Sequence, residues 1–420
     1  MAVTIPEVTL YGQPSMTTLD SPDQASVSIF LPNAGIEYPH FLAYGFSEHY
    51  LEPCSKFWFD LDQDELSADE LALLVPRQPV EIRVNGLLQC SGVIDDTPIR
   101  TGKGGSVLHI EGRDWLSYAL DSQVDPSLQF QPSMTIAQLV TTALGPFGFT
   151  AILDDNAANV AVMTGGSRGL KSNARTGKTS KSALAHQIRP YPNEHCIEFV
   201  TRVCQREGLW IRPGATPGQV IITSPNYTQD PLYQFRHSTS DPSQNNIEDG
   251  EVIPSGKDQP AILFAYGTGA GGVFPHAGVR CAILNPFISA DVSSWLARYP
   301  GVPTVEFSSV PAMSGRAIIT DKHARPLFKE DPESHTQSEV EAFARREMSL
   351  YMRHSLGIHY DIMGHTLGGY PIAIDTMAQV EDDRSNLHGK FWVMARTFSK
   401  TPNEGTRTKV EMIIPGSIQF

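Results

Sequence analysis

The stretch PVEIRVNGLLQCSGVIDD, residues 79–96, decides the fold class. Val80, Ile82 and Val84 fall on one side of an extended chain, and Glu81 and Arg83 on the other. That two-residue period marks a half-buried antiparallel strand. The Asn85-Gly86 pair then supplies a tight hairpin turn into a second strand, CSGVI. Beyond the glycine loop TGKGG (101–105) comes a third strand, SVLHIEG (106–112), and upstream ASVSIF (25–30) alternates in the same way. One short helix interrupts, SADELALLVPR (67–77), with Ser67 placed to cap it and Pro76 to stop it.

The pattern changes downstream of these strands. Thr135 with Gln138 forms a capping-box spacing at the head of TIAQLVTTAL, whose apolar stripe is Ile136, Leu139, Val140 and Ala143. A second helix is predicted after Asn193, with Ile197, Val200 and Cys204 inward and Gly208 as its stop. It runs into a hairpin, LWIRP–GATPG–QVIITS (209–224). From 226 the chain reads as β again, broken by a helix over 338–354 with Val340, Phe343, Leu350 and Tyr351 on its buried side. The segment 285–335 shows no period and reads as an insertion.

These readings predict a mainly β chain with an α+β middle module. Two tube-like antiparallel β-barrel domains, 1–127 and 226–420, flank a helix-plus-hairpin domain, 128–225. The two flanks echo each other faintly. VEIRV, CSGVIDD, a glycine loop and SVLHIEG find counterparts in YPIAIDT, LHGKFWVMARTFS, the loop TPNEGT and TKVEMIIPG.

Bulk properties narrow the function. The formal charge of −14 over 420 residues argues against a general grip on nucleic acid, which needs clustered cations. Five scattered cysteines without a C-x-x-C pair fit neither a disulfide framework nor a zinc site, and suit a reducing compartment. The first residues lack a basic head followed by an apolar stretch, so no secretory leader is expected, and no apolar run is long enough to insert in a membrane.

The chemical motifs mostly dissolve on inspection. GLKSNARTGKTS (169–180) ends like a phosphate-binding loop, but Ser172 stands where the tight turn needs glycine, and Pro190 and Pro192 spoil the following helix. What remains is charge segregation. No acid lies between Asp155 and Glu194, while Arg168, Lys171, Arg175, Lys178 and Lys181 do, which makes the loop 164–189 either a mobile basic loop or a partner-docking one. YGTGAGG (266–272) matches G-x-G-x-x-G at Gly267, Gly269 and Gly272, yet Pro275 occupies the helix a dinucleotide site requires. His354, His359, Asp361 and His365 cluster without a diagnostic metal spacing and read as a solvent face. The acid pairs Asp95-Asp96 and Asp382-Asp383 point to opposite faces of a strand, which suits turns better than catalysis. No catalytic residue, cofactor or metal is expected.

The order of phrases carries more than any motif. VEIRVNGLLQCSGVIDDTPIR and GGSVLHIEGRDWLSYALDSQV resemble the first barrel of the baseplate hub family of contractile-tailed phages, the late-control D group. IEFVTRVCQREGLWIRPGATPGQVIITSP is similar to that family's middle module, and the stretch from AFARREMSLYMRH to KVEMIIP to its closing barrel. The resemblance implies a non-enzymatic homotrimer whose six similar barrels join a threefold spike to a sixfold tail tube and leave a channel for DNA, which passes without specific binding. It implies a spike protein, tube protein, tape-measure protein and baseplate wedge proteins as partners, no membrane insertion, and a place in the virion tail after assembly in the bacterial host cytoplasm. Two rival readings are a tail-tip peptidoglycan hydrolase and the hub of a phage-like injection system.

Overall fold

A computed structural model of the chain describes residues 26–102, 105–128, 134–155, 157, 189–214, 216–267, 272–307, 319–332 and 334–418. The first unit contains β1 (Val27–Leu31), β2 (Ile36–Tyr38), β3 (Ala43–His49), β4 (Lys56–Asp62), α1 (Ala68–Leu73), β5 (Pro79–Val84), β6 (Leu87–Asp96), β7 (Ile99–Gly102) and β8 (Gly105–Asp114). Val80, Ile82 and Val84 are all buried, as their spacing predicts, while Glu81 and Arg83 pair with each other at 2.6 Å. Ser67 and Glu70 close a capping box on α1.

The middle unit holds α2 (Ser117–Leu120), α3 (Ile136–Leu144), β9 (Thr150–Leu153), α4 (Cys196–Arg206), β10 (Trp210–Pro213) and β11 (Gln219–Thr223). The Thr135–Gln138 capping box is present, and the stripe Ile136, Leu139, Val140, Ala143 packs against Phe199, Val200 and Cys204 of α4. β10 and β11 form the predicted hairpin, and β9 adds to it in parallel. This core also takes in Leu116 and Ala119, so α2 packs with the helices that follow it.

The last unit starts with β12 (Tyr233–His237) and β13 (Ile247–Pro254). An excursion follows: β14 (Ile262–Gly267), β15 (Val279–Leu284), β16 (Ile288–Ser289), α5 (Ser293–Arg298), β17 (Thr304–Val305), β18 (Ile319–Thr320), β19 (Pro326–Asp331) and α6 (Gln337–Met352). The chain then returns as β20 (Leu356–Met363), β21 (Thr366–Leu367), β22 (Tyr370–Pro371), β23 (Thr376–Asp382), β24 (Leu387–Thr401) and β25 (Gly405–Ile413). The aperiodic 285–335 segment does not stand alone. Its strands β17 and β19 join β14 and β15 in a four-stranded sheet ordered β17-β15-β14-β19, on which α6 packs, while β16 and β18 pair with each other. Strands of two residues are too short to show a period, which hides them in sequence.

One expectation for α6 is overturned. Its buried stripe is Val340, Ala344, Met348 and Met352 with Phe343, whereas Leu350 is 42% exposed. Leu350 sits roughly 200° around the helix from Met348, and so faces away from the sheet.

Both flanking units belong to a single 14-stranded sheet, ordered β13-β20-β25-β24-β3-β4-β8-β6-β5-β1-β2 with β7, β12 and β23 attached to it. Its two halves repeat. The path β3-β4-β8-β6-β5 matches β13-β20-β25-β24-β23. Both halves carry a bulge at the same place, where Ile94 faces Gly112 and Asp96 faces Glu111, and where Val393 faces Met412 and Ala395 faces Glu411. From Gly92/Phe391 to Gly102/Thr401 the two run in step without a gap, so β6 plus β7 corresponds to β24. The counterpart of PVEIR is therefore Met377–Asp382, with Val80 matched by Ala378, and not YPIAIDT. Tyr370–Pro371 pairs locally with Thr366–Leu367, and Asp375 turns the chain at φ 58°.

Candidate functional site

The seam joining the two repeats is where β24 meets β3. Arg396 and Glu48 are register partners across it, 2.7 Å apart, and the arginine side chain is 5% exposed. Arg396 also donates to Gln89 Oε1 at 2.9 Å and to the Ile372 carbonyl, so its buried charge is fully engaged. Its guanidinium lies 4.7 Å from the Phe398 ring centre and 5.4 Å from that of Phe46. Those two rings are themselves register partners with centres 6.0 Å apart. An ion pair this deep is costly to desolvate and is kept only with good geometry on every donor.

His365 closes the same seam from behind. Its Nε2 lies 2.8 Å from Tyr44 Oη on β3 and its Nδ1 3.0 Å from Thr408 Oγ1 on β25. Burial depresses the imidazole pKa to about 3 and raises that of the Tyr44 phenol. His365 is thus a neutral linker between repeats. The solvent-face reading holds for His359, which is exposed, and fails for His365, because the turn after β20 folds it into the core. Among the described residues no group of His, Cys, Asp or Glu is arranged to hold a metal ion.

The face opposite the core repeats its polar pairs. Asp60 on β4 meets His109 on β8 at 2.5 Å, and Asp361 on β20 meets Lys409 on β25 at 4.0 Å. Glu111 and Glu411 occupy matching bulge positions, and Trp58 stands where His359 stands in the second repeat. In the second repeat a cleft of about 540 Å³ opens on this face, bounded by Asp249, Glu251, Asp361 and Glu411, with His359 and Lys409 among them. Of the acid pairs flagged in sequence, Asp95 binds Arg113 at 2.7 Å and Asp382 accepts from Tyr360 at 2.9 Å, while Asp383 accepts from the Thr239 backbone. Asp95, Asp382 and Asp383 are thus tied into the fold.

The basic loop residues Arg168, Lys171, Arg175, Lys178 and Lys181 lie outside the described residues, as does the Ser172 motif. Where the chain is described again, the Arg189 carbonyl accepts from Arg202 Nη2 at 3.1 Å. Arg202 borders a second cleft, about 440 Å³, where α4 faces α6. Arg206, Arg346 and Arg353 line it with Asp331 and Glu347. Of the Gly267–Gly272 motif, Gly269 lies outside the described residues; Gly267 ends β14, which pairs antiparallel with β15, and residues 272–279 hold no helix. A pyrophosphate would find no helix N-terminus there.

No protein-family model matches the chain, and no curated protein matches it. Solved structures do. It is similar to the tail protein from Neisseria meningitidis MC58, 17% identical over 94% of this chain and 98% of that one, with a TM-score of 0.68. It is also similar to the 43 kDa tail protein of prophage MuSo2 from Shewanella oneidensis, 15% identical over 94% and 99%, TM-score 0.66. The fold is that of phage tail proteins. The chain is also similar to a chain of the Francisella PdpA-VgrG complex, at 10% identity and TM-score 0.52, over 94% of this chain and 59% of that one.

Sequence reading missed Arg396, Glu48 and the two sheet edges discussed below. A trace of the repeat does exist, since VIDDTPIRT and WVMARTFSK match apolar residues at Val93/Trp392, Ile94/Val393 and Ile99/Phe398, but only the bulge shows how to align them.

Proposed function

We propose that the chain is a structural hub of a phage tail, and that three copies form a ring of six similar β units joining a threefold spike to a sixfold tail tube. The observation that carries this reading is the seam. One chain already contains two repeats joined edge to edge in one sheet, so three chains offer six equivalent units. Tail proteins with the same fold over nearly their whole length support the tail role. In this reading the polar face of the sheet, with its repeated acids, lines the bore, where an anionic wall repels DNA and lets it pass without specific binding. The partners are the spike, the tube, the tape-measure protein and baseplate wedge proteins, the site of action is the virion tail baseplate after assembly in the host cytoplasm, and the role is non-catalytic. The basic loop from Arg168 to Lys181 serves as a docking element for one of these partners.

The likeness to a chain of the PdpA-VgrG complex favours one variant, a hub in a phage-like injection system. A native mass measurement tests the assembly. It should give three times the chain mass of 46.1 kDa. A strictly monomeric species that degrades peptidoglycan overturns the hub reading in favour of a tail-tip hydrolase.

A further inference from the structure

Among the described residues, four strands of the large sheet, β2, β7, β12 and β13, have one strand partner each. Two of these open edges bear on the seam: β7 pairs only with β8, and β13 only with β20. By the repeat, β7 is the counterpart of the outer half of β24, and β13 is the counterpart of β3. In the second half of the molecule and the first, those counterparts are the two strands that make the seam.

The geometry points to a head-to-tail β pairing between copies of this chain, in which β7 of one copy joins β13 of the next in the register of the seam. The inference rests on the proposed trimer and adds its contact residues. Superposing the repeats sets Ile99 against Val252, because these match Phe398 and Phe46. The same step sets Arg100 against Glu251, Thr101 against Gly250, and Pro98 against Ile253.

Three independent features agree with this register. The backbone directions fit. Ser255 N donates to Ser355 across β13–β20, and His109 N donates to the Pro98 carbonyl across β7–β8. Alternation then turns the polar groups of Gly250, Val252 and Pro254 outward on one edge, and those of Thr97, Ile99 and Thr101 outward on the other. The side chains fit too. Ile99 is 52% exposed at a position whose counterpart, Phe398, is buried by its seam partner. Arg100 and Glu251 put opposite charges directly across the join, the arrangement cross-strand pairs favour. Finally, each edge is built to survive alone. Pro254 removes a donor from the open edge of β13, and exposed charges sit on both strands, as edges that must not aggregate require. A contact between two different edges is heterologous, and its repetition closes a ring when the rotation between copies is a threefold one, as in the proposed trimer.

Cysteine cross-linking tests the register. The Arg100–Glu251 pair falls at a non-hydrogen-bonded position, where a cross-strand disulfide fits. Arg100→Cys with Glu251→Cys should yield, under mild oxidation, covalent oligomers up to three chains, while the shifted pair Arg100→Cys with Ile253→Cys should not. The native cysteines are all buried and supply the blank. In a second measurement, Glu251→Arg should weaken assembly by roughly fivefold per contact, and Arg100→Glu in the same chain should restore it. A trimer by mass that gives no cross-link, or equal yield from the shifted pair, overturns the register and leaves the trimer standing. A monomer overturns both.

Discussion

The two repeats share a strand plan but differ in what connects it. In the first, β3 turns into β4 through residues 50–55. In the second, the equivalent strands β13 and β20 are separated by residues 255–355, which build a sheet of their own and the helix α6. The difference shows that a hairpin turn is a place where a whole layer can be inserted without disturbing the pairing on either side, because loop length adds little to the closure entropy. A second contrast lies in the joins. The seam within the chain holds a buried ion pair, Arg396–Glu48, whereas the matching positions on the free edges are Thr97 and Pro254. A covalently tethered join never has to expose its partners, so it can hold a desolvated charge pair. Free edges must be stable in water first.

That contrast can be broken most sharply at the seam. Arg396→Ala should strip the partner from a carboxylate held in a low-dielectric join and destabilise the chain by about 3–5 kcal/mol in urea unfolding, with Arg396→Met plus Glu48→Gln recovering much of the loss. Phe398→Ala should lose about 3–4 kcal/mol as a core truncation. Its counterpart Ile99→Ala should change the unfolding of the isolated chain by less than about 0.5 kcal/mol and show its effect only in assembly. Equal losses at both positions would erase the distinction between seam and edge.

His365 sharpens the comparison through pH. Its folded pKa, about 3, lies below the unfolded value of 6.5, so in this window the unfolded chain binds the extra proton. Stability is therefore present above pH 6.5 and falls as pH drops toward 3, by at most about 1.4 kcal/mol per unit. His365→Gln should flatten that slope in a urea titration repeated from pH 7 to 4. The helix caps carry smaller effects than the seam residues. Thr336→Ala, at the head of the 16-residue α6, should cost about 1 kcal/mol. Ser67→Ala should fall at the low end of the cap range, because α1 has no buried residue.

Much of the fold was legible because period and punctuation are local. Val80, Ile82 and Val84 announce their strand, and Thr135 with Gln138 announces its helix. Leu350 is exposed against its apolar character because an apolar residue on a helix says nothing of which side a sheet will occupy. His365 differs from its exposed sequence neighbours for the same kind of reason. It is four residues from Asp361 in sequence, but its partner Tyr44 lies at the other end of the chain.

The β character, the capped helices, the helix-and-hairpin segment and the faint doubling of the ends are each written in residues close together. That the two ends share one sheet, that a bulge aligns them, and that an arginine and a glutamate lock them emerges only on folding. Those facts depend on pairs such as Glu48 and Arg396, separated by most of the polypeptide, and no short-range pattern encodes which distant strands will hydrogen-bond.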